Sequence, residues 1–235
     1  MNAEEIVAEL RPLGSESYKA VIRKHGIPEP LFGVKIEELK KVQKRIKKDY
    51  QLALDLYDTG IYDAMYLAGL IADDLRMTVD DLRRWVEKAH CSAISEYTVP
   101  WVAAEGRHGL ELAREWIESD QARVAAAGWS TFSSLVALKA DTDLDLSELR
   151  QLLKRVQATI HDQPNRVRYA MNGFVIAVGS YVKELTESAL QTAATMGRVT
   201  VDMNGTACVV PSAPEYIEKV RKRGALGKKR KTVKC

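Results

Sequence analysis

The sequence lacks the features that define several large classes of protein. No stretch approaches the ~20 apolar residues that a membrane-spanning helix needs, and residues 1–5 are too polar and acidic to begin a signal peptide. The three cysteines, Cys91, Cys208 and Cys235, are far apart and form no C-x-x-C pair or Cys/His cluster. We therefore predict a cytoplasmic protein with reduced thiols, no metal site and no membrane contact.

Standard catalytic signatures are missing as well. There is no G-x-x-x-x-G-K-[ST], no strand-borne G-x-G-x-x-G, no H-E-x-x-H and no G-x-S-x-G. The four histidines are scattered. Neighbouring carboxylates such as Asp80 and Asp81 point about 100° apart on a helix, so they make no acid/base couple. No cofactor is predicted.

Apolar residues recur at three- and four-residue spacing through most of the chain, and hydrophobic residues make up 46% of it. This is the period of a helix, and the apolar content is enough for a continuous core. Capping residues such as Thr78, Ser119 and Ser147 divide the pattern into short segments. We predict helices near residues 2–11, 15–25, 36–48, 50–58, 62–75, 79–89, 92–104, 109–118, 121–138, 147–160, 165–179 and 182–195.

Short helices joined by short loops are expected to pack as antiparallel pairs. Because each pair covers its apolar face only against its neighbours, the predicted fold is all-α, an α-solenoid of antiparallel HEAT-like helix pairs. The repeats are too divergent to show a clean sequence period. We assign residues 1–197 to the repeat domain, 198–223 to a β-hairpin and short helix packed on the last repeat, and 224–235 to a basic tail.

A small β-hairpin is predicted near residues 199–210. Two short runs with β-branched residues flank Asn204-Gly205, a dipeptide suited to the positive φ angles of a type I′ turn. Pro211 ends the second run, and Pro214 begins a last predicted helix.

Positive charge is concentrated in one segment. Residues 219–235 contain nine Lys/Arg and no acid, whereas residues 1–218 contain 26 basic and 32 acidic side chains. Such a cluster neutralises DNA phosphates through counterion release. We predict nucleic-acid contacts for Lys228, Lys229, Arg230 and Lys231. The alternative is a solubilising segment with no specific partner.

Several segments together resemble the AlkD-like DNA alkylation repair family, over roughly residues 10–195. The similarity is spread over many positions and is not carried by one sharp motif. The segments are residues 32–34 (FGV), 36–42 (IEELKKV), 52–57 (LALDLY), 62–68 (YDAMYLA) and 115–120 (EWIESD).

The resemblance implies a curved stack of HEAT-like helix pairs that binds DNA along a basic concave face. In active members it also implies excision of N3- or N7-alkylated purines. There an aspartate, two tryptophans and an arginine stabilise the positively charged sugar and hold the backbone, without extruding the base as other glycosylases do.

This sequence departs from that family pattern at each of those positions. Glu96 stands at the first tryptophan, and Pro100 stands at the aspartate. Ala126 takes the place of the arginine, with Arg123 one helical turn earlier, and Gly173 takes the place of the second tryptophan. The charge stabilisation and the aromatic wall that the family chemistry uses would both be lost.

Other residues near these positions are candidates for a remaining site. Glu96 is a possible surrogate carboxylate, and Tyr97 and Trp101 offer aromatic surface. Alternatively, Trp101, Trp116 and Trp129 fill the seams between helix pairs. The residues predicted to line the cleft are Glu96, Tyr97, Pro100, Trp101, Asn172 and Gly173.

Three arginines of the repeat region are predicted phosphate contacts. Arg166 and Arg168 follow Pro164 at a helix start, and the corresponding family helix faces DNA. Arg123 is predicted to lie on the same concave surface.

Three hypotheses follow. The first is a DNA alkylation repair-like protein that binds DNA through its concave face and basic tail without the standard glycosylase chemistry. The second is an active glycosylase for alkylated purines with Glu96 as its carboxylate. The third is a HEAT-type scaffold that binds a protein partner.

Overall fold

The computed structural model describes residues 1–234, and within them it contains thirteen α-helices. The helices predicted from the sequence pattern are confirmed, with ends that shift by a few residues, and none of the thirteen is long and apolar enough to cross a membrane. They are α1 (Ala3–Leu10), α2 (Glu16–Lys24), α3 (Ile36–Ile46), α4 (Tyr50–Asp58), α5 (Tyr62–Ile71), α6 (Val79–Lys88), α7 (Val99–Glu105), α8 (Gly109–Trp116), α9 (Ala122–Leu138), α10 (Leu146–Thr159), α11 (Asn165–Tyr181), α12 (Thr186–Met196) and α13 (Ala213–Lys222).

Several helix starts are fixed by side chains that accept hydrogen bonds from free backbone N–H groups. Asn2 caps α1 through the N–H of Glu5, and Thr78 caps α6 through the N–H of Asp81. In both cases the acid bonds back to the cap residue, which completes a capping box. Asp49 caps α4 through a neighbouring N–H in the same way. Of the start signals named from the sequence, Thr78 is confirmed. Ser119 and Ser147 are not caps, because α9 begins after Gln121 without a side-chain cap and α10 is capped by Asp145.

From α4 onward the helices pack as consecutive pairs, α4 with α5 through to α12 with α13. The second helices of the pairs, α5, α7, α9, α11 and α13, contact each other in order, and we call them the second-helix layer. The first helices, α4, α6, α8, α10 and α12, make up the first-helix layer. This arrangement is the predicted HEAT-like repeat fold, in which each pair buries its apolar face against its neighbours.

A series of ion pairs connects the first-helix layer to the next repeat at each step. We call three of them the ion-pair ladder, namely Arg83–Glu115 at 2.6 Å, Arg114–Glu148 at 2.6 Å and Arg150–Glu184 at 2.5 Å. Their partners are 32, 34 and 34 residues apart in the sequence. The ladder thus shows a repeat period that comparison of the repeats with one another did not reveal.

The tryptophans fill the seams between helix pairs. Trp85, Trp116 and Trp129 are almost completely buried, and Trp101 is only 5% exposed. The Tyr57 ring stacks on Trp85 with a centroid distance of 4.0 Å, and its hydroxyl donates to the Trp85 carbonyl at 2.6 Å. These aromatics therefore stabilise the contacts between repeats.

The predicted β-hairpin near residues 199–210 is wrong. The turn itself forms, because Asn204 and Gly205 have φ angles of 57° and 67° and the Thr206 N–H donates to the Met203 carbonyl at 3.1 Å. The runs on either side do not pair, and residues 1–234 contain no strand. The segment is a long loop between α12 and α13.

Side chains of α11 explain why the two runs stay apart. The Asn165 side chain accepts from the Asp202 N–H at 2.7 Å and donates to the Asp202 carbonyl at 2.9 Å. Asn172 donates from its amide to the Pro211 carbonyl at 2.9 Å. Backbone groups that a β-ladder would need are therefore already bonded to a helix. A cavity of about 820 Å³ lies between the runs and is lined by both of them.

Candidate nucleic-acid interface

A π-helical turn at Ile94–Thr98 leads directly into α7 and shapes the centre of the second-helix layer. The Val99 N–H donates to the Ile94 carbonyl, five residues back, and Pro100 has no N–H to donate. The wider turn therefore accommodates a proline inside an otherwise continuous helix. The turn also approaches α5 closely, since a Cβ at Gly69 would lie 2.4 Å from the Thr98 methyl group.

A cavity of about 280 Å³ opens on the face of the second-helix layer beside this turn. Its walls come from the π-turn, α7, α9 and α11, together with Pro211 and two residues of the segment after α13. Glu96 is the only carboxylate among the described residues that line it. The lining residues are Glu96, Tyr97, Trp101, Ser130, Ser133, Ser134, Ala137, Tyr169, Ala170, Gly173, Ala177, Tyr181, Pro211, Arg230 and Val233.

Glu96 is held in a two-pronged ion pair with Arg166. The guanidinium donates from Nε to one carboxylate oxygen at 2.7 Å and from Nη2 to the other at 2.5 Å. Only 2% of the Glu96 side chain is exposed. Burial raises the pKa of Glu96, and the hydrogen bonds and charge of Arg166 oppose that shift. Both carboxylate oxygens are therefore committed to a neighbouring helix.

Aromatic rings form one wall of the cavity. The Trp101 ring lies edge-on to Tyr66 at 5.6 Å and to Tyr97 at 6.2 Å. Tyr97 is 42% exposed, and its hydroxyl lies beside that of Tyr169. Arg166 stacks over the Tyr169 ring at 4.5 Å, in a cation–π contact. Behind this aromatic wall the Arg166 guanidinium is paired with Glu96 and does not itself line the cavity.

The positions that carry catalytic residues in the resembled family differ here in whether they reach the cavity. Pro100 is buried inside α7 and does not line the cavity. Gly173 lines the cavity, and a Cβ built there would meet no atom within 4 Å. Asn172, one residue earlier, points away from the cavity and bonds to the loop after α12. The missing side chain at Gly173 is one reason why the cavity is open.

Two of the three predicted arginines of the repeat region are engaged with the protein. Arg166 holds Glu96, and Arg123 donates to the Glu87 carbonyl in the last turn of α6 at 2.8 Å. Arg168 is partly buried on α11, where its Nε has no partner among the described residues. None of the three lines the 280 Å³ cavity.

The segment that follows α13 is folded against the second-helix layer, and we call residues 224–234 the strap. Gly224, with a φ of 63°, ends α13 in a Schellman turn in which the Ala225 N–H donates to the Val220 carbonyl at 3.2 Å. Gly227 then turns the chain again with a φ of 74°. Both conformations favour glycine and direct the strap across the layer.

The strap caps the carboxyl ends of the longest helices in the second-helix layer. The Gly227 N–H donates to the Ser180 carbonyl in the last turn of α11 at 2.9 Å. The Arg230 N–H donates to the Ala137 carbonyl in the last turn of α9 at 2.8 Å. Carbonyls at a helix end have no partner within the helix, so the strap satisfies groups that would otherwise face solvent.

Side chains anchor the rest of the strap. Lys229 binds Asp141 at 2.8 Å, and Lys234 binds the buried Asp74 at 2.6 Å. The Val233 N–H and the Thr232 hydroxyl both donate to Glu105, the last residue of α7. The Val233 side chain itself lies in the apolar core shared with the amino-terminal helices.

Three basic side chains of the strap remain free. Lys228, Arg230 and Lys231 are exposed, and none has an ion-pair partner within residues 1–234. Arg230 also lines the 280 Å³ cavity. Of the four cations predicted from the sequence in this segment, only Lys229 is neutralised by a carboxylate.

Comparison with known proteins identifies the relationship. A family model described as DNA alkylation repair enzyme matches residues 6–216. The chain belongs to the DNA alkylation repair family. Its relatives include two uncharacterized proteins, Lmo0209 of Listeria monocytogenes at 33% identity and Lin0241 of Listeria innocua at 32% identity. Each alignment covers 94% of this chain and 97% of the relative.

A solved structure is also similar to this DNA alkylation repair family member over its whole length. It shares 36% sequence identity, covers 100% of both chains and superposes with a TM-score of 0.93. It is described as "A new family of proteins related to the HEAT-like repeat DNA glycosylases with affinity for branched DNA structures". The predicted family and the HEAT-like helical fold are therefore confirmed.

Some residues of this family member's cavity were not anticipated from the sequence. Ser130, Ser133 and Ser134 lie with Ala137 on one face of α9, and Tyr169 lies near Gly173 on α11. The α9 set follows i, i+3, i+4, i+7 spacing, which places residues on one side of a helix. Hydroxyls at that spacing in an otherwise apolar helix were the available signal for a polar face.

Proposed function

We propose that this chain binds branched DNA through the open face of the second-helix layer and the strap, and that it does so without the glycosylase chemistry of its family. The main support for this proposal is the distribution of charge around the 280 Å³ cavity. One free cation of the strap, Arg230, lines the cavity, Lys228 and Lys231 lie within two residues of it in the chain, and the one carboxylate in the cavity wall is paired with Arg166.

Loss of the standard chemistry is supported by the geometry of three positions. A carboxylate is needed beside the developing positive charge of the sugar, and Pro100 supplies none. Glu96 is a poor substitute, since both of its oxygens are held by Arg166 at 2.7 and 2.5 Å. At Gly173 there is open space in place of an aromatic wall. These features favour binding over base excision.

DNA binding is supported by the exposed cations and by the structural relative. Lys228, Arg230 and Lys231 present positive charge along one edge of the layer, which suits a phosphate backbone. The related protein of 36% identity is described as having affinity for branched DNA. An exposed aromatic, Tyr97, in a cavity that Arg230 also lines suits the unstacked bases found at a branch point. We keep the cytoplasm as the proposed compartment.

The test compares a synthetic four-way junction with a linear duplex of the same sequence. Affinity is measured by fluorescence anisotropy at several salt concentrations. We expect tighter binding to the junction, and a log–log plot of affinity against salt with a slope of several units. Equal affinity for both DNAs, or an affinity that does not respond to salt, would contradict the proposal.

A parallel assay addresses catalysis directly. The protein is incubated with duplex DNA that contains 7-methylguanine, and released base is measured. We expect no release above background. Release that disappears in Glu96→Ala would instead establish an active glycosylase with Glu96 as its carboxylate.

A further inference from the structure

We propose that the strap is a rigid phosphate-binding rail, built into the fold, that reverses the charge of the edge it covers. This rests on the proposed function, since it specifies which element meets the DNA backbone.

The strap crosses the carboxyl ends of four successive second helices. Its contacts are Ser180 of α11, Ala137 of α9, Glu105 of α7 and Asp74 just after α5. An extended chain covers at most about 3.5 Å per residue, so residues 227–234 reach no more than about 25 Å. The four helix ends therefore lie along one short edge of the layer.

Without the strap, that edge would carry negative charge. Helix carboxyl ends bear a partial negative charge from the aligned peptide dipoles. The edge also carries three carboxylates that the strap contacts, Asp74, Glu105 and Asp141, of which Asp74 also pairs with Lys48 at 3.2 Å. A negative edge repels phosphate. The strap lays five basic side chains over these three acids, which makes the edge positive.

The side chains of the strap divide into two groups with different roles. Lys229, Val233 and Lys234 face the protein and anchor the strap. Lys228, Arg230 and Lys231 face outward and are free. The anchored backbone therefore fixes where the three free cations are attached, and one of them, Arg230, lines the cavity. A flexible tail would supply the same charges without this spacing or this position.

The first variant removes the three free cations of the strap. The triple variant Lys228→Ala/Arg230→Ala/Lys231→Ala is compared with Lys24→Ala/Lys44→Ala/Lys154→Ala. The control removes three exposed cations on α2, α3 and α10 that form no ion pair within residues 1–234. For three phosphate contacts we expect the strap variant to lower the salt slope for the four-way junction by up to about 2.7. Its affinity should fall about tenfold or more at ~0.1 M salt, while the control stays within about twofold of wild type.

The second variant keeps every cation and removes the anchors. Asp74→Asn/Glu105→Ala makes the protein more positive by two charges, so a freely moving tail would bind the junction at least as tightly as before. If the strap must be held in place to bind DNA, the variant should bind the junction more weakly in spite of its added positive charge. Glu105→Ala/Val233→Ala is a milder version that leaves the buried Asp74 in place.

Limited trypsin digestion without DNA reports on the strap itself, because four consecutive basic residues, 228–231, are potential cleavage sites. We expect slow cleavage there in wild type and fast cleavage in both anchor variants, with residues 1–223 intact in each. Equal cleavage rates in wild type and the anchor variants, or unchanged junction binding by those variants, would overturn the proposal that the strap is a rigid rail. Failure of wild type to bind the junction would instead overturn the proposed function.

Discussion

The first-helix layer and the open face of the second-helix layer use charged residues in opposite ways. On the first-helix layer, arginines such as Arg83 and Arg114 are paired with glutamates of the next repeat. On the open face, Glu96 and Arg166 form one buried pair, and the strap combines two paired lysines with three cations that have no ion-pair partner within residues 1–234. The comparison teaches that the number of cations does not locate a binding surface. What matters is where unpaired cations lie close together on one surface, because single unpaired lysines such as Lys24, Lys44 and Lys154 are spread over other helices.

The largest effect on stability is expected when the buried Glu96–Arg166 pair of the open face is broken. Glu96→Ala leaves Arg166 without its partner in a largely enclosed position, and we expect a loss of about 3 kcal/mol in the free energy of unfolding. Urea denaturation measures it. The double change Glu96→Leu/Arg166→Leu should recover much of the loss, because no unpaired charge remains. A cost below about 1 kcal/mol for the single change would show that the pair is dispensable.

A pair of glycines on α11 tests whether one side of that helix is packed and the other open. A Cβ at Gly179 would lie 2.4 Å from Ile217 Cδ1, whereas a Cβ at Gly173 would meet nothing within 4 Å. Gly179→Ala should therefore destabilise the protein by about 1–3 kcal/mol through overpacking. Gly173→Ala should stabilise it by about 0.5–1 kcal/mol through helix propensity. Thermal unfolding of both variants measures the two effects. Equal shifts in the melting temperature would contradict the assignment of one packed and one open side.

The smallest effect is expected on the ion-pair ladder. Arg114→Ala removes a partly exposed pair with Glu148 and should cost about 0.2–1 kcal/mol of stability. Junction binding should remain within about twofold of wild type, because this charge is already used within the protein. A large loss of binding would mean that the first-helix layer also contacts DNA.

Much of the helical architecture was predictable from local signals. Apolar spacing and a capping residue such as Thr78 act over a few residues, so their effect is visible in the sequence. The repeat period was visible only in pairs such as Arg114–Glu148, which join positions 34 residues apart. The apolar pattern alone did not reveal this period. An arginine in one repeat pairs with a glutamate in the next, so the paired positions do not resemble each other in sequence.

The errors concern contacts between distant parts of the chain. The Asn204-Gly205 turn formed as predicted, but the hairpin did not, because Asn165 bonds to both backbone groups of Asp202. No local propensity reveals such a competitor. Likewise, Glu96 was identified as a candidate carboxylate, but its partner Arg166 is 70 residues away. The residue types at the site were predictable, whereas their pairing required the fold.

The position of the strap also bears on how the molecule assembles. In a helical array each repeat depends mainly on its neighbours, so the end repeats open most easily. Here the Val233 N–H reaches back 128 residues to Glu105, and Lys229 reaches back 93 residues to Val136. A chain synthesised from its amino end must complete all thirteen described helices before this closure is possible. Its last folding event therefore joins repeats that had until then been stabilised only by the ones beside them.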